Sequence, residues 1–183
     1  MKYFTPQLWL AFQSPRRDAA FKTWGRKFEQ YREGLEKILP GLRPAARRFF
    51  RDALTLHDGR LARMEIGDRI DDIEGEARRE IVDRPKLRVR MFVLAEIVKR
   101  RRITGRCWYV LEYKNVQRIV MDYPGKLELF PVGFESNLGD WGYDELTSPE
   151  KNVFRHEILF ASGATIAIDF RDFSFRQKRC RKA

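Results

Sequence analysis

His57 and His156 are the two imidazoles of the chain. His57 is followed by Asp58, and a carboxylate beside an imidazole can orient and charge it, the make-up of an acid/base element. No serine or cysteine nucleophile stands near this pair in a recognisable elbow, and adjacent side chains rarely point at each other. The bland expectation is therefore a turn in which Asp58 caps local backbone N–H groups. His156 stands between Phe154 and Ile158 in an alternating run and reads as a half-buried residue that hydrogen-bonds across a sheet. A catalytic role for His57, Asp58 and His156 requires all of them to line one cleft.

The carboxylates fall into two groups. Asp68, Asp71, Asp72, Glu74 and Glu76 are hard oxygen ligands by type, but their spacing lacks the glycine and terminal glutamate of a calcium loop. Arg69, Arg78 and Arg79 lie close enough to neutralise them, so no metal is expected. Glu135, Asp140, Asp144 and Glu145 surround Trp141 and Tyr143, and aromatics beside charges are what interaction surfaces use. Trp141, Tyr143, Asp144 and Glu145 are accordingly the candidate contacts for a protein partner, the competing reading being that both rings fold back on the core. Cys107 and Cys180 form neither a metal-ligand spacing nor a disulfide framework and read as reduced. Gly133, Gly139 and Gly142 have the wrong spacing for a phosphate loop, and no cofactor is expected.

A net charge of +11 on 183 residues invites a nucleic-acid reading. Residues 1–60 hold thirteen Lys/Arg against six Asp/Glu, whereas residues 126–175 hold four against nine, so the chain is polarised. The last eight residues, RQKRCRKA, add five positive charges and read as a mobile tail. Candidate phosphate contacts are Lys99, Arg100, Arg101 and Arg102 at a hairpin tip, the third-helix arginines Arg43, Arg47, Arg48 and Arg51, and Lys178 and Arg179 in the tail. Such clusters neutralise phosphates without reading sequence, and no helix-turn-helix, zinc finger or RNA-recognition signature accompanies them.

The elements that must position these groups begin with helices. Thr5-Pro6 and Ser14-Pro15 are helix starts, a hydroxyl cap followed by a proline whose missing N–H costs nothing there. Leu8, Trp9 and Phe12 form the inward side of the first helix. Phe21, Trp24, Phe28, Tyr31, Leu35 and Ile38, at spacings of three and four, form the stripe of the second. A third helix from Pro44 carries Ala46, Phe49, Phe50, Ala53 and Leu54 inward and arginines outward, and Leu56 to Gly59 stops it, with Gly59 left-handed.

From Arg60 the period changes to two. Strands are expected at Leu61 to Ile66, Leu87 to Ile97, Ile103 to Tyr113, Val116 to Tyr123 and Leu127 to Val132. Gly67 to Pro85 reads as a charged insertion, and Gly133 to Glu150 as a connection. A final hairpin, Val153 to Phe175, turns at Ser162-Gly163. Helices first and strands afterwards predict an α+β fold, with N-terminal helices packed on a curved, mostly antiparallel sheet in a single domain. Residues 1–58 supply its helical part, 60–175 its sheet and 176–183 the tail. No apolar run reaches the length of a membrane span and the opening lacks a signal peptide's apolar centre, so a cytoplasmic protein without membrane contact is expected.

The opening MKYFTPQLWL, the LHDG at Leu56 to Gly59, the WGYDEL at Trp141 to Leu146 and FRHEILFASG followed by IAIDFRDF together resemble a group of small bacterial cytosolic proteins of uncharacterised function. The resemblance implies no reaction. It directs attention to His57, Asp58, Tyr143, Asp144, Glu145 and His156. The expectation from the sequence is a non-enzymatic binding module, of protein-binding or immunity type, with an unidentified protein partner. The alternative is sequence-nonspecific nucleic-acid binding through the basic hairpin tip and tail.

Overall fold

The computed structural model describes residues 1–12, 14, 17–51, 56–67, 87–99, 102–123 and 138–179. Helix α1 spans Pro6–Phe12. Its cap is the expected one: the Leu8 N–H donates to Thr5 Oγ1 at 3.2 Å, and Pro6 takes the first helical position. Helix α2, Arg17–Ile38, buries Tyr31 and Leu35 and packs Trp24, Phe28 and Ile38 against the core. Phe21, first in that stripe, is 56% exposed and instead meets Phe12 of α1 at 4.9 Å between ring centroids. A 3-10 turn at Leu39–Gly41 ends α2. Helix α3, Pro44–Arg51, then turns Ala46, Phe49 and Phe50 inward. Its Arg48 and Arg51 stay exposed, while Arg47 folds back onto the carbonyls of Leu42 and Pro40 at 2.7 and 2.9 Å. Among the described residues no helix is long and apolar enough to cross a membrane.

Among the described residues eight strands follow: β1 Arg60–Gly67, β2 Arg88–Lys99, β3 Arg102–Lys114, β4 Arg118–Asp122, β5 Trp141–Glu150, β6 Val153–Phe160, β7 Thr165–Phe170 and β8 Asp172–Arg179. The fold is α+β with antiparallel pairing throughout the described strands, but the strands divide between two four-stranded sheets, β1-β2-β3-β8 and β4-β7-β6-β5. Val89, Met91, Val93 and Ala95 of β2 and Leu111 and Tyr113 of β3 share one buried cluster with Ile158, Ile166, Ile168 and Phe170 of the second sheet. Helix α3 adds to it through Phe49 and Phe50, both in ring contact with Phe173.

The change of sheet happens at one residue. Phe170 ends β7, the Arg171 N–H donates to the Lys114 carbonyl at 3.2 Å, and β8 starts at Asp172 against β3. Phe170 and Phe173 are both buried although three residues apart, which an unbroken strand buried on one face only does not allow.

Three further expectations change. Trp141 to Glu150, expected as a connection, is strand β5, paired with β6. Arg176 to Arg179, expected in a mobile tail, continue β8 and pair with β3 as far as Cys107↔Arg179. At the end of the helical part, Asp58 and not Gly59 takes the left-handed conformation, with φ 61°; aspartate tolerates that region better than most side chains. Gly59 is demanded for space, because a Cβ there would lie 2.8 Å from the Leu56 carbonyl oxygen and 3.1 Å from Val93. Gly59→Ala is expected to lower stability by about 2 kcal/mol, read as a fall in the urea midpoint with an unchanged m-value. The final hairpin forms as expected around a left-handed Gly163 at φ 83°, but its second arm ends at Phe170 instead of reaching Phe175, because Phe173 and Phe175 belong to β8 and pair with β3. Ala53, Leu54, the insertion beyond Gly67, the strand at Leu127 to Val132 and Cys180 lie outside the described residues.

Candidate functional site

His156 lies on the inner face of β6, fully buried, with both ring nitrogens engaged. Nδ1 meets Tyr113 Oη at 2.7 Å and Nε2 meets Asp144 Oδ2 at 2.9 Å. Tyr113 comes from β3, so the Tyr113 bond joins the two sheets. The Trp141 indole N–H donates to the other carboxylate oxygen of Asp144 at 3.1 Å. A carboxylate has no proton to give, so Nε2 is the donor to Asp144, and Nδ1 is left to accept the Tyr113 hydroxyl proton. Burial first, and then the negative charge of Asp144, hold the Tyr113 hydroxyl far above its ordinary value, which keeps that proton in place.

This has the composition of a catalytic relay without access to a substrate. Phe50 stands edge-on to the imidazole at 5.0 Å and Trp141 lies at 5.9 Å between centroids. The network satisfies polar groups in a core and ties β3, β5 and β6 to one another.

The other flagged histidine sits elsewhere. His57 Nδ1 is 3.0 Å from Asp58 Oδ2, so these neighbours do point at each other, and the imidazole stands edge-on to Tyr143 at 5.5 Å. Tyr143 and Asp144 are consecutive in a strand and so project to opposite sides of it. Tyr143 joins His57, Trp9, Trp24 and Phe4 on the helix side, whereas Asp144 joins His156 on the inner side. The histidines therefore do not converge. Burial and then Asp58 raise the Tyr143 hydroxyl above its ordinary value.

Glu145, on the same side as Tyr143, is completely buried. It accepts the backbone N–H groups of Lys2, Tyr3 and Phe4 at 2.8, 2.6 and 2.5 Å. Next to it Glu157 pairs with the Met1 ammonium group at 2.7 Å. Of the four candidate protein contacts, Trp141 and Glu145 are thus interior, Asp144 is spent on His156, and Tyr143 is half-buried among rings. Among the described residues no group of three or more His, Cys, Asp or Glu could hold a metal ion; the cluster from Asp68 to Glu76 and Glu135 lie outside them.

The basic candidates share the first sheet. Lys99 ends β2 and Arg102 opens β3 as mutual partners, Arg100 and Arg101 lie outside the described residues, and Lys178 and Arg179 are in β8. Register then reveals residues that sequence reasoning did not single out. On the side of this sheet turned away from the core, one row across the strands reads Arg63, Phe92, Val110, Arg176. The next reads Arg60, Leu94, Trp108, Lys178. Each row is two apolar residues between two basic ones. None of the four apolar residues belongs to the core cluster or packs against it.

The Arg63 guanidinium lies over the Phe92 ring at 4.4 Å. Arg60, Arg63 and Arg106 have side chains 53%, 62% and 65% exposed, and Arg176 and Lys178 are also exposed. Beyond the second row a cleft of about 340 Å³ opens among Leu94, Arg60, Arg106, Asp58, Glu96 and Asp140. Below the first row Arg90, Glu65, Glu112, Arg88 and Lys114 neutralise one another in an ion network. The available signal was in β2, RVRMFVLAE, where Phe92 and Leu94 put apolar residues on the face opposite Val89, Met91, Val93 and Ala95. No described protein family, curated protein or solved structure matches this chain.

Proposed function

We propose that this protein binds nucleic acid on the outward side of the β1-β2-β3-β8 sheet, through phosphate contacts that do not read sequence. The observation that carries this reading is the pair of cross-strand rows that begin and end in exposed basic residues, Arg63 with Arg176 and Arg60 with Lys178. Basic groups on both edges of a sheet give a polyanion two parallel lines of counter-charge. Arg176 and Lys178 take part in no ion pair among the described residues, so their charge is not already neutralised, whereas Arg63 and Arg60 are exposed but paired with Glu65 and Asp140. Lys99 and Arg102, paired where β2 ends and β3 begins, belong to the same sheet. A protein-binding reading centred on Trp141 to Glu145 has less support, because two of those four side chains are fully buried.

The test is fluorescence polarisation of a labelled mixed-sequence oligonucleotide over a salt series. Affinity is expected to fall linearly on a log–log plot, and the Arg176→Ala/Lys178→Ala variant to lose about 1.4 to 1.8 of that slope, the share of two phosphate contacts. Absence of binding at low salt overturns the reading. So does polyglutamate binding as tightly as the oligonucleotide, because an acidic protein surface would then be the better partner.

A further inference from the structure

We infer that the nucleic acid is single-stranded, with its bases stacked on Trp108 and on the Arg63–Phe92 pair; this rests on the reading just given. Phosphate binding alone needs no apolar centre, yet the two basic rows enclose the partly exposed Phe92, Leu94 and Trp108, with Val110 buried among them. A duplex offers such a face its phosphates, sugars and groove edges but not the π-faces of its bases, which are stacked inside, and burying partly exposed apolar surface against phosphates gains nothing. An unpaired strand offers π-faces, which aromatic side chains and guanidinium planes stack upon.

The spacing suits that use. Phe92 pairs with Val110 and Leu94 with Trp108, which makes the two aromatic residues diagonal neighbours, about 7–8 Å apart. Among the described residues neither ring contacts another ring; Trp108 is partly exposed, and Phe92 carries Arg63 on one face. Arg63 lies on Phe92, its side chain is 62% exposed and its guanidinium is held by Glu65, so the plane is fixed as a platform on which a base can stack. The cleft beside Leu94 continues the Trp108 row, and its Asp58, Glu96 and Asp140 carboxylates are acceptors suited to exocyclic amino groups of a splayed base.

The deciding experiment compares one mixed-sequence oligonucleotide as a single strand and as a duplex, on the intact chain and on Trp108→Ala and Trp108→Phe, each checked by circular dichroism for an unchanged fold. The single strand is expected to bind at least about tenfold tighter than the duplex. Trp108→Ala should weaken single-strand binding about 5- to 150-fold, the worth of one stacked base, with duplex binding moved by less than about twofold. Trp108→Phe, which keeps a ring, should recover most of the loss. Should Trp108→Ala not fold, Trp108→Phe against Trp108→Leu carries the same comparison.

Equal affinity for the two forms, or a folded Trp108→Ala with full single-strand binding, overturns the stacking inference and leaves phosphate binding standing. Failure of both forms to bind overturns the nucleic-acid reading itself. Self-association abolished by Trp108→Ala, without nucleic-acid binding, makes the patch a contact between copies and overturns both.

Discussion

His156→Ala is expected to cost the fold about 4 kcal/mol, enough to abolish it in a domain of marginal stability. The imidazole is fully buried under Phe50 and Trp141, so its removal leaves a cavity and also strands two polar groups, the Tyr113 hydroxyl and one oxygen of Asp144. Each buried group left unpaired costs about 1–3 kcal/mol, and the terms overlap because they belong to one network. Milder variants separate the parts. Tyr113→Phe removes only a donor and should cost about 1 kcal/mol.

Asp144→Asn is the sharper probe. Its carbonyl can still accept from Trp141 while its amide donates to Nε2, and the proton moves to Nδ1, where Tyr113 Oη can accept it. Asp144→Asn should therefore be less damaging than Asp144→Ala, although both remove the charge. Urea midpoints of the four variants check this order. A His156→Ala protein with an unchanged midpoint would mean that the network does not hold the sheets together.

How much of the fold was legible depends on whether a signal is local. The Thr5-Pro6 cap, the stripe of α2 and the alternation of β2, β3, β6 and β7 are short-range patterns, and the structure follows them. The division into two sheets is not a short-range property, because antiparallel hairpins look alike whichever sheet they join. Its trace was the three-residue step from Phe170 to Phe173, where the inward parity changes and β8 crosses to β3. β5 was hidden for a different reason. Its polar residues Asp144 and Glu145 are interior, so hydrophobicity cannot mark a strand whose carboxylates are satisfied by His156 and by backbone N–H groups.

The same blindness affected the sites. Charge and aromaticity around Trp141 suggested a surface, yet buried polar groups are tolerated wherever partners are supplied, and those partners come from residues 2–4, far away in sequence, and from His156 on the neighbouring strand. His156 was legible as a residue bonding across a sheet; its partner, Tyr113 of the other sheet, was not. The basic residues were legible by composition and their geometry was not. Arg176 and Lys178 acquire meaning only through a register that sets them beside Val110 and Trp108, and register between distant strands is fixed by the whole core rather than by either strand.

Glu145→Ala is expected to release the first residues of the chain and to cost about 3 kcal/mol, since three N–H groups lose one shared acceptor. Phe4 is the reason the cost is not confined to the terminus: it is 3% exposed and its ring contacts Trp24, Phe28, Tyr31 and Tyr143. Glu145→Gln should cost less, about 1–2 kcal/mol, because Oε1 keeps the Tyr3 and Phe4 donors while the new amide opposes the Lys2 N–H.

The two proteins should also differ in their response to pH. Burial raises the Glu145 carboxyl above its ordinary value of 4.5, and the three N–H groups offset that only in part. An acid whose folded value exceeds its unfolded one binds its proton more tightly in the folded state, so its contribution favours folding most at low pH and declines as pH rises through the folded value. Glu112 acts oppositely: burial pushes it up, but Lys114, Ser174 and Arg90 together hold it below 4.5, so its contribution is lost as pH falls. The windows lie on either side of the ordinary value, which lets one variant isolate Glu145. Urea midpoints of wild type and Glu145→Gln, measured from about pH 4 to 8, should draw together as pH rises, because only the wild type carries the burdened carboxylate. A constant gap across that range would mean that the N–H groups fully compensate the burial of this charge.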